Sequence, residues 1–160
     1  MMTMTEDFVI REYRNVDHAQ VAALNAYGLA AAGVPADADV YAGDLDDIDA
    51  TYLTGRGTLL VGQLGTDVVA MGALREIDPV TCEITRMRVA PHVQGRGYGK
   101  AMLARLEEIA RSHGYRRATL LTGPDQRPAI DLYEAANYTV VGTERHDLLV
   151  GVRMSKQLGE

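Results

Sequence analysis

The sequence predicts a mixed α+β fold, built as a central mixed sheet with helices on both faces. Three observations carry that expectation. Apolar, strand-like runs follow one another at 58–64, 68–77 and 82–90, separated only by short turn signals, so consecutive strands become neighbours. The stretches 98–113 and 125–136 instead repeat apolar residues at helical spacing. Strand-like runs follow both helices, giving the order β-α-α-β-β-β-α-β-α-β-β, which is not that of a doubly wound sheet.

Each element has its own signal. Phe8 to Tyr13 alternates and is rich in strand formers. Asp17 stands where it caps a helix whose apolar face is Val21, Ala22, Leu24 and Leu29, ending near Gly33-Val34-Pro35. Asp37 to Thr54 reads as an acidic loop with a short helix around Asp44 to Leu53. Gly65-Thr66-Asp67 turns a hairpin between Thr58 to Leu64 and Val68 to Ile77. Asp78-Pro79-Val80-Thr81 then turns into a third strand, Cys82 to Ala90. Tyr98 to His113 aligns Met102, Leu106, Ile109 and Ala110 on one stripe, and Gly114 occupies a C-terminal left-handed position. Arg117 to Leu121 is a strand, Asp125 opens a helix through Ala136, and Asn137 suits a left-handed cap. Tyr138 to Gly142 and Leu148 to Met154 finish as strands.

At 160 residues the chain fits a single domain, 1–160, able to bury a core without disulfides or metals. Apolar residues at 47% and charged residues at 24% exclude a disordered class. No run reaches the length of a membrane span, and the first seven residues lack the basic start and apolar run of a signal peptide, so no membrane partner and a cytoplasmic location are expected. Cys82 is the only cysteine and reads as a buried strand residue. His18, His92, His113 and His146 show no ligand spacing, so no metal is expected. A net charge of −6 argues against nucleic acid as a partner. Charge is divided along the chain: Asn15 to Gly55 holds seven aspartates and no Lys or Arg, whereas Arg86 to Arg127 holds eight Arg and Lys100.

The most informative stretch joins the third strand to the helix after it. Glycines at 95, 97 and 99 let backbone N–H groups approach an anion, the helix that follows adds the positive end of its dipole, and Arg96 and Lys100 supply countercharge. This is a pyrophosphate grip. A Walker A loop is excluded because Gln94 stands where its first glycine belongs and Ala101 follows Lys100. A dinucleotide fingerprint is excluded because Lys100 stands where its third glycine belongs.

Gln94-x-x-Gly97-x-Gly99, following Val89-Ala90-Pro91, resembles the acyl-CoA motif of the GNAT superfamily of N-acetyltransferases. Ala129-Ile130-Asp131-Leu132-Tyr133-Glu134-Ala135-Ala136-Asn137-Tyr138 is similar to the family's second signature, and the element order is also the family's. The resemblance covers nearly the whole chain. It implies a mostly antiparallel central sheet, acetyl-CoA as cosubstrate, and direct attack by an amine without an acyl-enzyme. The acceptor would be a small-molecule or peptide amine. A non-catalytic acyl-CoA-binding or sensing module is the second reading.

The resemblance also assigns roles. The backbone of Met87 and Val89 would pair with the pantetheine arm, and the loop residues Gln94, Gly95, Arg96, Gly97, Tyr98, Gly99 and Lys100 would hold the pyrophosphate. Gln126 stands where the family often carries a cofactor-binding Asn. It shares one helical face with Ala129, small enough to leave room for the arm, and Tyr133. Tyr133 matches the general acid that protonates the departing sulfur, and the N–H of Met87 the oxyanion donor. Because a primary ammonium titrates near pKa ~10, the amine must lose a proton before it attacks. Glu83, thirteen residues before Arg96, is either the base, acting through water, or a strand-face carboxylate paired with Arg86 or Arg88. Arg88 and Asn137 depart from the family pattern, and neither is expected to touch the chemistry. In this fold the segment between the first two helices borders the acceptor site. Its aspartates would suit a cationic amine, or they form a solvated loop. Dimers are frequent in the family, and Leu148 to Met154 is the candidate strand to pair across a homodimer interface.

Overall fold

The structure, a computed structural model, describes residues 7–34, 44–146 and 149–159. Seven strands form one sheet: β1 (Phe8–Glu12), β2 (Thr58–Leu64), β3 (Asp67–Asp78), β4 (Thr81–Val89), β5 (Arg117–Thr122), β6 (Thr139–His146) and β7 (Leu149–Gln157). Among the described residues four α-helices accompany them: α1 (His18–Ala31), α2 (Ile48–Tyr52), α3 (Tyr98–Ser112) and α4 (Arg127–Ala135). The spatial order is β1-β2-β3-β4-β5-β7-β6. Neighbours are antiparallel except β4 and β5, which run parallel.

Strand alternation sends successive side chains to opposite layers. On one face Leu60, Ala70, Leu74, Cys82, Ile84 and Met154 pack with Met102, Leu106 and Ala110 of α3 and Tyr133 of α4. On the other, Leu59, Val61, Val69, Met71 and Ala73 pack with Val21 and Leu24 of α1 and Ile48 and Tyr52 of α2. Cys82 is fully buried, and burial pushes its thiol up to about 12. Gly114 and Asn137 take left-handed φ values of 88° and 76° and end α3 and α4 as expected.

Several expectations need correction. Asp17 stands at the N-cap of α1 but does not cap it with its side chain; its buried carboxylate accepts two hydrogen bonds from Arg11, both 2.8 Å, and one from the Arg14 N–H. A charged donor six residues upstream of Asp17 outcompetes the helix amides. α4 starts at Arg127 rather than Asp125, because Pro128 suits its first turn. β6 runs on to His146. β7 lies between β5 and β6, so it has no free edge to offer a second copy; the open edge there is β6, where Val140 and Val141 are exposed. Asp37, Asp39 and Leu148 lie outside the described residues.

Two departures from regular pairing shape the site. β4 pairs with β5 only over Thr81 to Glu83, against Arg117 to Thr119. Beyond that point the strands part. On the opposite side of β4 the register with β3 slips, so Arg86 and Met87 together face Gly72. This is a β-bulge, and Arg86 takes a φ of 58° to make it.

Candidate active site

Where β4 and β5 separate, a cavity of about 300 Å³ opens. Ile84 to Val89 form one wall, and Leu121, Thr122 and Gly123 face them from β5 and its end. The end of α1 and the β6–β7 hairpin close it from the other face of the sheet, and Gln126, Ala129 and Tyr133 enter from α4. The helical spacing that put those three on one face therefore brings all three to the cavity. Met87, Val89 and Gln94 also line it. Gln94 donates from Nε2 to the Val89 carbonyl at 3.1 Å, tying the loop to the strand edge.

The glycine loop runs on from Gln94. Gly95 and Gly97 have φ values of 82° and 84°, and a Cβ on either would meet nothing within 4 Å. The left-handed backbone requires glycine there, and the surface above is open to a ligand. A Cβ on Gly99 would make only ordinary contacts, with Leu132 at 3.5 Å and Val89 at 3.7 Å. Arg96 and Lys100 are exposed beside the first turn of the fifteen-residue α3. Tyr98 is held differently from the rest: its ring stacks on Phe8 at 4.0 Å, fastening the helix start to β1.

Tyr133 is buried, and burial pushes its hydroxyl up to about 12, against the pull of the Arg88 charge. Its ring meets Tyr138 edge to face at 6.0 Å, and Tyr138 in turn donates to the buried Glu107 at 2.8 Å. Tyr133 is thus a neutral donor at any ordinary pH, held from behind.

Glu83 sits elsewhere. Its side chain is 2% exposed, Oε1 accepting from Arg75 Nε at 2.8 Å and Oε2 from an Arg153 terminal nitrogen at 2.7 Å. Arg75 and Arg153 are two of its ion-pair partners, so it is a strand-face carboxylate held by arginines. It does not line the cavity.

The residues that sequence reasoning missed are the arginines of the bulge. Arg86 is buried in the cavity wall and donates to both oxygens of Asp44, at 2.9 and 2.7 Å, and to Asn25 Oδ1 at 3.1 Å. The Tyr52 hydroxyl donates to the same Asp44 carboxylate. Arg88, expected to stand apart from the chemistry, lines the cavity beside Tyr133. The sequence carries one sign of the bulge: apolar residues fall at Cys82 and Ile84 and then at Met87 and Val89, so the alternation slips by one across Thr85-Arg86.

The family model described as acetyltransferase (GNAT) matches residues 30–138, which spans both the bulge and the glycine loop. The chain belongs to this family. Among GNAT relatives, N-acetyltransferase 8 of Rattus norvegicus is 31% identical over 112 residues, 66% of this chain and 50% of its own. N-acetylaspartate synthetase of Rattus norvegicus is 32% identical over 114 residues, 70% of this chain and 38% of its own. The chain spans about half the length, or less, of these curated relatives. A GNAT-family acetyltransferase structure from Staphylococcus aureus superposes with a TM-score of 0.83 at 16% identity, covering 95% of this chain and 99% of that one. YncA of Salmonella typhimurium, solved with acetyl-CoA, gives 0.76 at 22% identity, covering 96% and 95%. These likenesses show that the GNAT fold is shared. No helix among the described residues is long and apolar enough to cross a membrane.

Proposed function

We propose that this protein transfers an acetyl group from acetyl-CoA to an amine by direct attack, without an acyl-enzyme. The observation that carries this reading is the cavity between β4 and β5, where a strand edge without ladder partners from Ile84 onward faces Tyr133. When bound, acetyl-CoA supplies an activated thioester carbonyl. The chain's residues fit it: the edge at Met87 and Val89 offers backbone groups to the pantetheine amides, and Ala129 leaves room opposite. The N–H groups from Gly95 to Lys100 take the pyrophosphate at the start of α3.

Tyr133 holds a proton on its hydroxyl and gives it to the departing sulfur, a task suited to a neutral buried phenol. The Met87 N–H, turned by the bulge at Arg86, stabilises negative charge developing on the acyl oxygen. Glu83, outside the lining, is the candidate to accept the amine's proton through water. A Glu83→Gln variant with an unchanged pH profile of kcat would assign it to the Arg75 and Arg153 ion pairs alone. The names of relatives such as N-acetylaspartate synthetase support an amine nitrogen as the acceptor atom.

The test is thiol release from acetyl-CoA across amino acids, polyamines, aminoglycosides and peptide N-termini, with acetyl-CoA binding measured in parallel. Release with at least one amine, reduced in Tyr133→Phe, supports the reading. Tight binding with no release for any amine would leave a binding module in its place.

A further inference from the structure

We infer that His146 is the catalytic base, with Glu144 as its positioning residue: the imidazole takes the proton that the attacking amine must lose, in the place the resemblance gave to Glu83. The inference rests on the acetyl-transfer reading above and deepens it by naming the proton acceptor.

Placement is the first argument. His146 ends β6, pairs with Leu149 across the hairpin, and lines the cavity together with Leu149, Val150 and Gly151. The hairpin closes the cavity from one face of the sheet, whereas Tyr133 enters from the helix layer on the other. The group that gives a proton to sulfur and the group that takes one from nitrogen therefore stand on opposite faces, with the thioester's place between them. Gly151 keeps the hairpin close to the cavity. A Cβ there would stand 2.5 Å from Leu121 Cδ1 and 2.6 Å from Leu121 Cγ, so the absence of a side chain lets β7 lie against the part of β5 that lines the cavity.

Orientation is the second. His146 Nε2 lies 3.2 Å from Glu144 Oε1, two residues back on the same side of the strand. Glu144 also accepts two bonds from Arg153, Nε to Oε2 at 2.5 Å and a terminal nitrogen to Oε1 at 2.9 Å. Those bonds, from Arg153 first, hold the Glu144 carboxyl down to about 2, so at neutral pH it is ionised and can only accept. Nε2 must then donate, which leaves the lone pair of the neutral imidazole on Nδ1. Arg153 also donates to Glu83 at 2.7 Å, so the buried carboxylate is joined to this arrangement from behind while His146 is the member that lines the cavity.

Proton balance is the third. An ammonium that enters the cavity loses one proton to Nδ1, and the electron pair this frees forms the N–C bond as the C–S bond breaks. The second proton lost by that nitrogen balances the one Tyr133 gives to sulfur, and His146 returns the first to water. Its side chain is 44% exposed, which leaves that exit open. Among the described residues, the other ionisable groups lining the cavity are Tyr27 from α1, Arg86 and Arg88 from β4 and Tyr133 from α4.

The experiment measures kcat/KM from pH 7 to pH 9 for the amines of the thiol-release screen, with wild type, His146→Gln, Glu144→Gln and Glu83→Gln. His146→Gln should lower kcat/KM about a hundredfold at pH 7, while the KM for acetyl-CoA holds within about threefold. Below its pKa near ~10, the neutral fraction of a primary amine rises about tenfold per pH unit, so the deficit should shrink to less than about tenfold at pH 9. A merely structural role would leave the deficit the same at both pH values. Glu144→Gln presents both a donor and an acceptor, so it no longer dictates the tautomer; it should cost about tenfold at pH 7 and recover in the same way. Tm of each variant, read in parallel, should stay within about 2 °C of wild type at pH 7, as expected at partly exposed positions. A His146→Gln enzyme within about threefold of wild type at pH 7, or one whose deficit does not change with pH, would overturn the inference and leave acetyl transfer standing. So would a deficit that narrows with pH in Glu83→Gln and not in His146→Gln, which would return the proton to Glu83. A Glu144→Gln enzyme equal to wild type at pH 7 would overturn the positioning role. No thiol release by wild type with any amine would overturn acetyl transfer and the base with it.

Discussion

Removing the Asp44 carboxylate tests whether the bulge is held by its ion pair. Arg86 and Asp44 side chains are 2% and 10% exposed, and their two hydrogen bonds are short and charged. Breaking a buried pair from one side costs about 3–5 kcal/mol, because the remaining charge stays buried. Arg86 keeps Asn25, which puts Asp44→Ala at the lower end, about 3 kcal/mol. At roughly 2.1 cal/mol/K per residue, the 160-residue chain unfolds with about 0.34 kcal/mol/K, so Tm falls by roughly 9 °C. Asp44→Asn keeps an oxygen acceptor and should lose about half as much. Since Arg86 is the left-handed residue that turns Met87, kcat should fall in both variants while the KM for acetyl-CoA changes little. Calorimetry and steady-state kinetics measure the two effects. A Tm drop under about 2 °C in Asp44→Ala would refute the reasoning, for it would mean that the guanidinium finds equal solvation without its partner.

Three further outcomes are expected. Tyr133→Phe should lower kcat by about a hundredfold with little change in acetyl-CoA KM, and a wild-type kcat profile without a basic limb below about pH 10 fits a hydroxyl held at about 12. Acid should unfold the protein partly through Glu144, whose carboxyl is held down to about 2, first by its hydrogen bond from Arg153. The native state favours the ionised form, so this contribution is complete above the ordinary value of 4.5 and is lost as pH falls toward about 2; Glu144→Gln should flatten Tm against pH across that window. Asn137→Gly should raise stability by about 0.5 kcal/mol, or 1–2 °C in Tm, by relieving a left-handed φ of 76°.

The parts of the site visible in the sequence depend on short-range rules. The positive φ values of Gly95 and Gly97 follow from residue type, and the shared face of Gln126, Ala129 and Tyr133 follows from helical spacing. Asp17 shows where such rules stop. Its position predicts a cap, but Arg11 arrives from β1 and takes the carboxylate. Glu83 shows the same for a strand: alternation gives its face, whereas its partner Arg153 lies 70 residues away. The bulge was less accessible: the slip in alternation at Thr85-Arg86 marks an irregularity, but it does not say that Arg86 takes a φ of 58°. Its causes are Asp44 and Asn25, which are 42 and 61 residues distant.

That division follows the two substrates. The proposed donor site depends on backbone groups, strand-edge amides and helix-terminal N–H groups, whose positions are set by glycines and by where a ladder ends. The rest of the cavity wall is built from residues that meet only after folding: Gly28 from α1, Arg88 from β4, and Leu149 to Gly151 from β7. The acidic segment suits a cationic acceptor or forms a solvated loop, and charge counted along the chain does not show which side chains neutralise one another. With Asp44 committed to Arg86, the segment offers less unpaired acid than a count along the chain suggests.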